Sequence, residues 1–193
     1  MRPGSQIPGS VDRRRTRRSK TPIPGRNDRP ERSDTERGAG PAKGRRMMLD
    51  PVRWSPEGTE PLPGKLRLID QTQLPEKLVY VELDDREDIF SAIRRLVVRG
   101  APAIGCAAGF GLAAVCQHSH AETAEEFLAE MRRRADVLAD ARPTAVNLKW
   151  ALDRCCRRVE AAAEKSDDVD RLKSALLQEA QEILEEDLRL CRA

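Results

Sequence analysis

One segment of this 193-residue chain constrains its fold more than any other, because residues 101–116 carry no charged or amide side chain. The run is shorter than the ~20 residues that cross a bilayer, and it is built of Ala and Gly rather than Leu and Phe. Pro102 suits a first helical turn, which predicts a helix over residues 102–117. A helix that is apolar on every face must be surrounded by other elements. Gly105 and Gly109 would let a neighbouring helix approach it closely.

The residues before this segment predict short strands and one further helix. Trp54, residues 66–69 and residues 78–83 have strand-like composition, and Pro, Gly and Asp separate them as turns require. An apolar stripe then recurs with helical spacing. Its members are Ile89, Phe90, Ile93, Leu96 and Val97. Asp84 is the predicted cap of this helix, with Glu87 three residues later.

Three more amphipathic helices are predicted after the apolar segment. Thr123 and Glu126 form a capping box before the third helix. Thr144 or Arg142 would open the fourth helix, and Ser166 or Asp167 would open the fifth. The predicted inward residues are Phe127, Leu128, Met131, Ala135 and Leu138, then Leu148, Ala151, Leu152, Cys155 and Val159, then Val169, Leu172, Leu176, Ile183 and Leu184. The order of elements predicts an α+β protein that is mostly α.

The charge is divided unevenly along the chain. Residues 1–46 hold 14 basic and five acidic residues, whereas the remaining 147 residues have a net charge of −6. The first segment is rich in Arg, Pro, Gly and Ser, which predicts a disordered basic tail over residues 1–46 and a folded domain over 47–193. An RNA-binding or targeting arm is one interpretation of the tail. The favoured one is an extension upstream of a start at Met47 or Met48, since such composition is common and unspecific. The acidic body argues against nucleic-acid binding by the folded domain.

The cysteine and histidine pattern excludes several kinds of site. The five cysteines are odd in number and contain no Cys-x-x-Cys, which favours a reduced, cytoplasmic protein without disulfides or a zinc site. Their apolar surroundings predict small core residues rather than nucleophiles. His118 and His120 are expected at the surface. Arg132–Arg134 and the acidic residues from Glu179 to Asp187 are expected to form solvated helix faces. No secretion signal or membrane span is predicted.

Two helix starts preceded by arginine are the candidate binding residues. In the first, Arg99 and Gly100 precede the apolar helix, whose unpaired N–H groups and partial positive charge suit a phosphate. Gly100 would let the backbone approach an anion, and Arg99 would add a planar donor fork. The second start repeats the pattern with Arg142, Pro143 and Thr144. On the local pattern alone an ordinary helix–helix turn with a solvated arginine is the favoured interpretation of the first start, since many turns look like this. A capped helix with an exposed arginine is likewise the alternative for the second start.

Several motifs together resemble a known family. They are Trp54, Leu66-Arg-Leu-Ile-Asp-Gln71, Leu74-Pro75, Ala92-Ile-Arg94, Val97-Val-Arg-Gly-Ala-Pro-Ala-Ile-Gly105, and Arg142-Pro-Thr-Ala-Val-Asn-Leu148 with Trp150-Ala151. From about Arg53 to Ala193 the chain resembles the methylthioribose-1-phosphate isomerases, whose fold is shared with the regulatory subunits of a translation initiation factor's exchange complex and with ribose-1,5-bisphosphate isomerases. The resemblance implies an N-terminal domain with a small antiparallel sheet and a five-helix bundle, followed by a Rossmann-like C-terminal domain.

The resemblance also implies a reaction and a division of roles. Family enzymes convert 5-methylthioribose 1-phosphate to 5-methylthioribulose 1-phosphate, an aldose–ketose isomerisation of methionine salvage that needs no metal or organic cofactor. The two motifs would bring Arg99, Gly100, Ala101 and Arg142 to the sugar-phosphate substrate. Members are commonly homodimers. Two alternatives are a non-catalytic regulatory module related to the initiation-factor subunits and a ribose-1,5-bisphosphate isomerase.

The resemblance leaves the catalytic groups outside the sequence. The family's catalytic Cys and Asp lie in the C-terminal domain, in motifs that are absent here, and Cys191 does not match that cysteine. The fifth helical pattern also stops at residues 190–193 without a Gly or Asn cap. A frayed terminus and a longer protein that has been cut both explain this. The expectation is a chain with half of a substrate site and little activity of its own.

Overall fold

The computed structural model describes residues 50–192, so the predicted basic tail lies outside the described residues. Three strands form one antiparallel sheet in the order β1-β2-β3, with β1 at Val52–Pro56, β2 at Gly64–Ile69 and β3 at Tyr80–Leu83. Leu68 pairs with Val52 on one side and with Val81 on the other. Leu66 and Leu68 are fully buried, so one face of β2 packs on the helices. All three predicted strand regions are confirmed, although β3 starts two residues later than expected.

Five helices follow the sheet, which confirms the α+β, mostly α, class. They are α1 (Arg86–Arg94), α2 (Ala101–Cys116), α3 (Ala124–Ala139), α4 (Val146–Ala163) and α5 (Val169–Leu190). The predicted inward faces of α3 and α4 are buried except for the half-buried Leu128. In α5, Leu172, Leu176 and Ile183 are buried, whereas Val169 and Leu184 are half-buried.

Helix α2 is the central helix of the bundle, as its composition predicts. Every residue from Ile104 to Cys116 is buried. A Cβ built on Gly109 would lie 3.3 Å from the Cβ of Ala180 in α5 and 3.6 Å from the Sγ of Cys155 in α4. A Cβ on Gly111 would lie 2.8 Å from Ile89 in α1. The small residues of α2 therefore allow its neighbours to pack at close range on several sides.

Three of the predicted helix caps are wrong by one to three residues. Asp85, not Asp84, caps α1 by accepting from the backbone N–H of Glu87 (2.7 Å), while Asp84 pairs with Lys65 at 3.5 Å. Asp168 caps α5. Helix α4 opens at Val146 behind Ala145, so neither Arg142 nor Thr144 occupies its cap position. The Thr123 cap of α3 is confirmed, since its hydroxyl accepts from the N–H of Glu126.

One residue in each of the two charged segments expected to be solvated departs from that expectation: Arg134 is half-buried and Glu179 is buried. Arg134 donates to the carbonyl of Val115 at 2.5 Å and pairs with Glu130 on its own helix. Glu179 on α5 is 5% exposed and accepts from Arg154 on α4 at 2.5 Å. A buried carboxylate is tolerated only with such partners, and here they tie α4 to α5.

The sheet is fixed to the bundle by side chains of α2 and its C-terminal cap. The indole of Trp54 stacks on Phe110 with ring centroids 6.0 Å apart. The amide of Gln117 accepts from the N–H of Gly64 (2.8 Å) and donates to its carbonyl (2.7 Å). None of the helices between residues 50 and 192 has the length and apolar composition that crossing a membrane requires.

Candidate anion-binding site

The connection that leads into α2 has an unusual backbone. Leu96 has φ 61°, a left-handed conformation that disfavours residues with a Cβ, and Gly100 has φ 95°. Leu96 takes the place after α1 where glycine is common, which ends that helix before the predicted stripe is complete. Arg99 is exposed, and its Nε lies 3.4 Å from the carbonyl of Leu96. Ala101, the remaining candidate at this start, is also exposed.

The connection that leads into α4 holds the second candidate arginine. Arg142 is half-buried, and its carbonyl accepts from the N–H of Ala145 at 2.9 Å. This turn places Pro143 and Thr144 outside the helix, and both are exposed. Arg142 therefore lies four residues before Val146, in a tight turn rather than in the first turn of the helix.

The packing of α2 on α4 places the two helix starts at the same end of the bundle. A Cβ built on Gly105 would lie 3.1 Å from the carbonyl oxygen of Asn147 and 3.7 Å from the Cβ of Ala151. One turn further along both helices, Gly109 faces Cys155. The two helices therefore run parallel, with their N-termini at the same end of the bundle. Both carry their positive partial charges to that end.

These two starts differ from the other three helix starts between residues 50 and 192. Asp85, Thr123 and Asp168 cap α1, α3 and α5 with a side-chain oxygen, and each of those helices has an acidic residue in its first turn. Helices α2 and α4 have neither a side-chain cap nor a first-turn acid. Within the described residues, their first N–H donors are thus left for water or for an external anion.

The two helix starts offer N–H donors to an anion, whereas the cysteines of α2 and α4 are poorly suited to chemistry. Burial raises the pKa of Cys106 and of Cys116 to about 12, and the pKa of Cys156 to about 11. Burial raises the pKa of Cys155 as well. A neutral buried thiol is a poor nucleophile and a poor acid near neutral pH. Among residues 50–192, no three His, Cys, Asp or Glu side chains converge so as to hold a metal ion.

The structure locates two features of this end of the bundle that the sequence alone does not place. The first is the parallel alignment of α2 and α4. Gly105 indicates a close approach of another helix, but not which helix approaches or in which direction it runs. The second is an exposed apolar strip on α4, made of Val146 (78% exposed) and Trp150 (45% exposed). The guanidinium of Arg154 lies 5.4 Å from the centre of the Trp150 ring. The helical spacing of these residues marks one face of α4, but not whether that face is covered.

Comparison with known proteins assigns this fold to a family. Residues 97–193, which include both candidate helix starts, match the Initiation factor 2 subunit family. The chain belongs to that family. The match covers α2 to α5, whereas the sheet and α1 precede it.

Curated relatives of the chain include named isomerases. The chain is 45% identical over 141 residues to a methylthioribose-1-phosphate isomerase of Pelotomaculum thermopropionicum, covering 73% of this chain and 36% of the relative. It is 47% identical over 132 residues to a 5-deoxyribose 1-phosphate isomerase of Petrotoga mobilis, covering 68% of this chain and 38% of the relative. The chain thus spans little more than a third of the length of these relatives.

Solved structures of two kinds share the fold. One is a 5-methylthioribose 1-phosphate isomerase from Pyrococcus horikoshii OT3, with a TM-score of 0.59 at 43% identity over 63% of this chain and 34% of that chain. The other is the delta subunit of the translation initiation factor eIF-2B from A. fulgidus, with a TM-score of 0.62 at 36% identity over 72% of this chain and 38% of that chain. An enzyme and an initiation-factor subunit therefore both contain this domain.

Proposed function

We propose that this chain is the N-terminal, substrate-binding part of an aldose–ketose isomerase that converts 5-methylthioribose 1-phosphate to 5-methylthioribulose 1-phosphate. The observation that carries the proposal is the pair of uncapped helix starts at one end of the bundle, held together by the contact between Gly105 and Asn147. The names of the relatives supply the substrate class, a pentose 1-phosphate with a substituted or reduced C5.

Each candidate residue has a role in this proposal. Arg99 and Arg142 donate to phosphate oxygens with planar forks, which match phosphate better than an ammonium group does. Gly100 lets the ligand approach the backbone: a Cβ there would meet no atom of the described residues within 4 Å. Ala101 contributes its free N–H at the start of α2. The two helix ends add their positive partial charge to that of the arginines.

The isomerisation itself needs a proton removed from one carbon of the sugar and returned to the neighbouring carbon. In the proposal a Cys and an Asp of a Rossmann-like second domain carry these steps, and the residues described here bind and orient the substrate. Positioned acid and base groups typically contribute ~10²–10⁴-fold each. The 193-residue chain by itself is therefore expected to show no turnover above background, with no metal or organic cofactor added.

A non-catalytic regulatory role is the second candidate, because the eIF-2B delta subunit has the same fold with a TM-score of 0.62. In that case the domain would serve in assembly or nucleotide sensing, and a pentose 1-phosphate would not bind selectively. Ribose 1,5-bisphosphate is a third ligand to compare. Binding of 5-methylthioribose 1-phosphate in preference to ribose 1,5-bisphosphate and to nucleoside monophosphates favours the methylthioribose isomerase.

Calorimetric titration of the purified chain with 5-methylthioribose 1-phosphate tests the proposal. Replacing Arg142 with Ala should weaken binding by about tenfold or more, since a charged hydrogen bond contributes about 1.5–3 kcal/mol. Arg133→Ala is the matched control, because Arg133 is an exposed arginine on α3. The dephosphorylated sugar should not bind. Equal effects of the two substitutions, or binding of the sugar without its phosphate, would refute the proposed site.

A further inference from the structure

The approach of α2 to α4 at Gly105 is a contact with backbone rather than with a side chain. A Cβ at this position would lie 3.1 Å from the carbonyl oxygen of Asn147 and 3.6 Å from its carbonyl carbon. That carbonyl belongs to the first turn of α4, so it cannot rotate away as a side chain could. The backbone of Asn147 would have to move by a few tenths of an ångström. Any side chain at position 105 therefore pushes the start of α4 away from the start of α2.

We infer that Gly105 is a positioning residue that sets the separation between the two helix starts, and that this separation is what lets both starts bind one phosphate. The inference rests on the proposed function. Gly105 lies one turn inside α2 and is buried, so it acts through the first turn of α4 and not by touching the ligand.

The separation matters because both sets of N–H donors must reach the same small anion. On α2 these donors are Ala101 and Ala103, since Pro102 has no N–H and Ile104 already bonds to the carbonyl of Gly100 at 3.0 Å. On α4 they are Val146 and Asn147, since Leu148 bonds to the carbonyl of Ala145 at 3.0 Å. Useful N–H···O bonds span only about 2.7–3.2 Å between the heavy atoms. A displacement of a few tenths of an ångström therefore lengthens the bonds from one helix while the other holds the ligand.

Gly109 provides a matched control on the same helix. Both glycines lie in the interior of α2, so replacement by Ala brings each the same gain in helix propensity. Both would make a tight contact, but the Cβ at Gly109 would meet the Cβ of Ala180 in α5 at 3.3 Å rather than the first turn of α4. A purely structural role would make the two substitutions alike in their effect on binding.

The experiment measures the dissociation constant of inorganic phosphate by ³¹P NMR titration, together with the urea midpoint, for the wild-type chain, Gly105→Ala and Gly109→Ala. Gly105→Ala should weaken phosphate binding by about three- to tenfold, because small misplacements of binding groups are costly. Gly109→Ala should leave it within about twofold of wild type, whatever its effect on the urea midpoint. Equal changes in the two variants, or an unchanged affinity in Gly105→Ala, would overturn the inference while leaving the phosphate site intact. A wild-type chain that binds no phosphate would overturn both.

A second measurement needs no variant and covers the case in which Gly105→Ala does not fold. In a ¹⁵N–¹H titration of the wild-type chain with phosphate, the amides of Ala103 and Asn147 should shift along one binding isotherm. Shifts confined to one helix start, or two different isotherms, would contradict the inference even if phosphate binds.

Discussion

The buried carboxylate of Glu179 allows a sharp test of what holds α4 and α5 together. Its side chain is 6% exposed; it accepts from Arg154 at 2.5 Å and lies 3.4 Å from the Nε of Arg158. Glu179→Gln keeps the size of the side chain and removes its charge. Breaking one partner of a buried ion pair typically costs ~3–5 kcal/mol, because the other charge stays buried and uncompensated.

The expected cost here is smaller than that range. Arg154 is 21% exposed and keeps its two bonds to Glu186, at 2.5 and 2.8 Å, so its charge is not left alone. We therefore expect Glu179→Gln to lower the free energy of unfolding by about 2 kcal/mol, between the buried limit and the ~0–1 kcal/mol of an exposed pair.

Urea unfolding followed by circular dichroism measures this quantity directly. Glu185→Gln on the same helix is the matched control, because Glu185 is exposed. The control should change stability by less than about 0.5 kcal/mol. If the two variants unfold at the same urea concentration, Glu179 does not stabilise the bundle and the argument from burial is wrong.

Three further predictions follow from single residues. Asp85→Ala should lower the free energy of unfolding by about 1 kcal/mol through loss of the α1 cap, and Asp84→Ala by clearly less; urea unfolding of both variants compares the two directly. The pKa of Glu186 is lowered, mainly by its hydrogen bonds from Arg154. The contribution of Glu186 to stability is therefore present above its ordinary pKa and is lost as the pH falls through the lowered value. The difference in the free energy of unfolding between wild type and Glu186→Gln should vanish in acid. Of the five cysteines Cys191 is exposed, Cys156 is half-buried and the other three are buried. An aromatic disulfide reagent should therefore modify Cys191 rapidly, Cys156 more slowly, and Cys106, Cys116 and Cys155 only after unfolding. Modification of more than two thiols in the folded chain would contradict the burial of those three.

Local sequence patterns predict the helices and strands well, whereas the features that these patterns miss depend on tertiary packing. The apolar composition of residues 101–116 is sufficient to place α2 at the centre. The choice between Asp84 and Asp85 as cap is not readable from two adjacent aspartates, because it depends on where Lys65 of β2 lies. Leu96 continues an apolar stripe, yet its positive φ ends α1, since the chain must turn there toward α2.

In the candidate site, too, local motifs predict the residues and tertiary packing decides how they are arranged. Arg99 and Arg142 were predicted from two similar motifs, and the sequence places each beside a helix start. That the starts lie at one end of the bundle depends on the parallel packing of α2 and α4, which joins residues more than 40 positions apart. Glu179 was missed for a related reason: its burial is explained by Arg154, which lies on a different helix.

The amide of Gln117 has a consequence for how the hairpin of β1 and β2 is aligned. Gly64 pairs with Pro56 of β1, and its partner on the other side is the Gln117 side chain, which satisfies both of its main-chain groups as another strand would. Any residue with a Cβ at position 64 would lie 2.6 Å from the ring of Trp54. Sliding β2 by one residue would place Lys65 there and turn Leu66 and Leu68 outward. Gln117 and Trp54 thus restrict β1 and β2 to a single alignment.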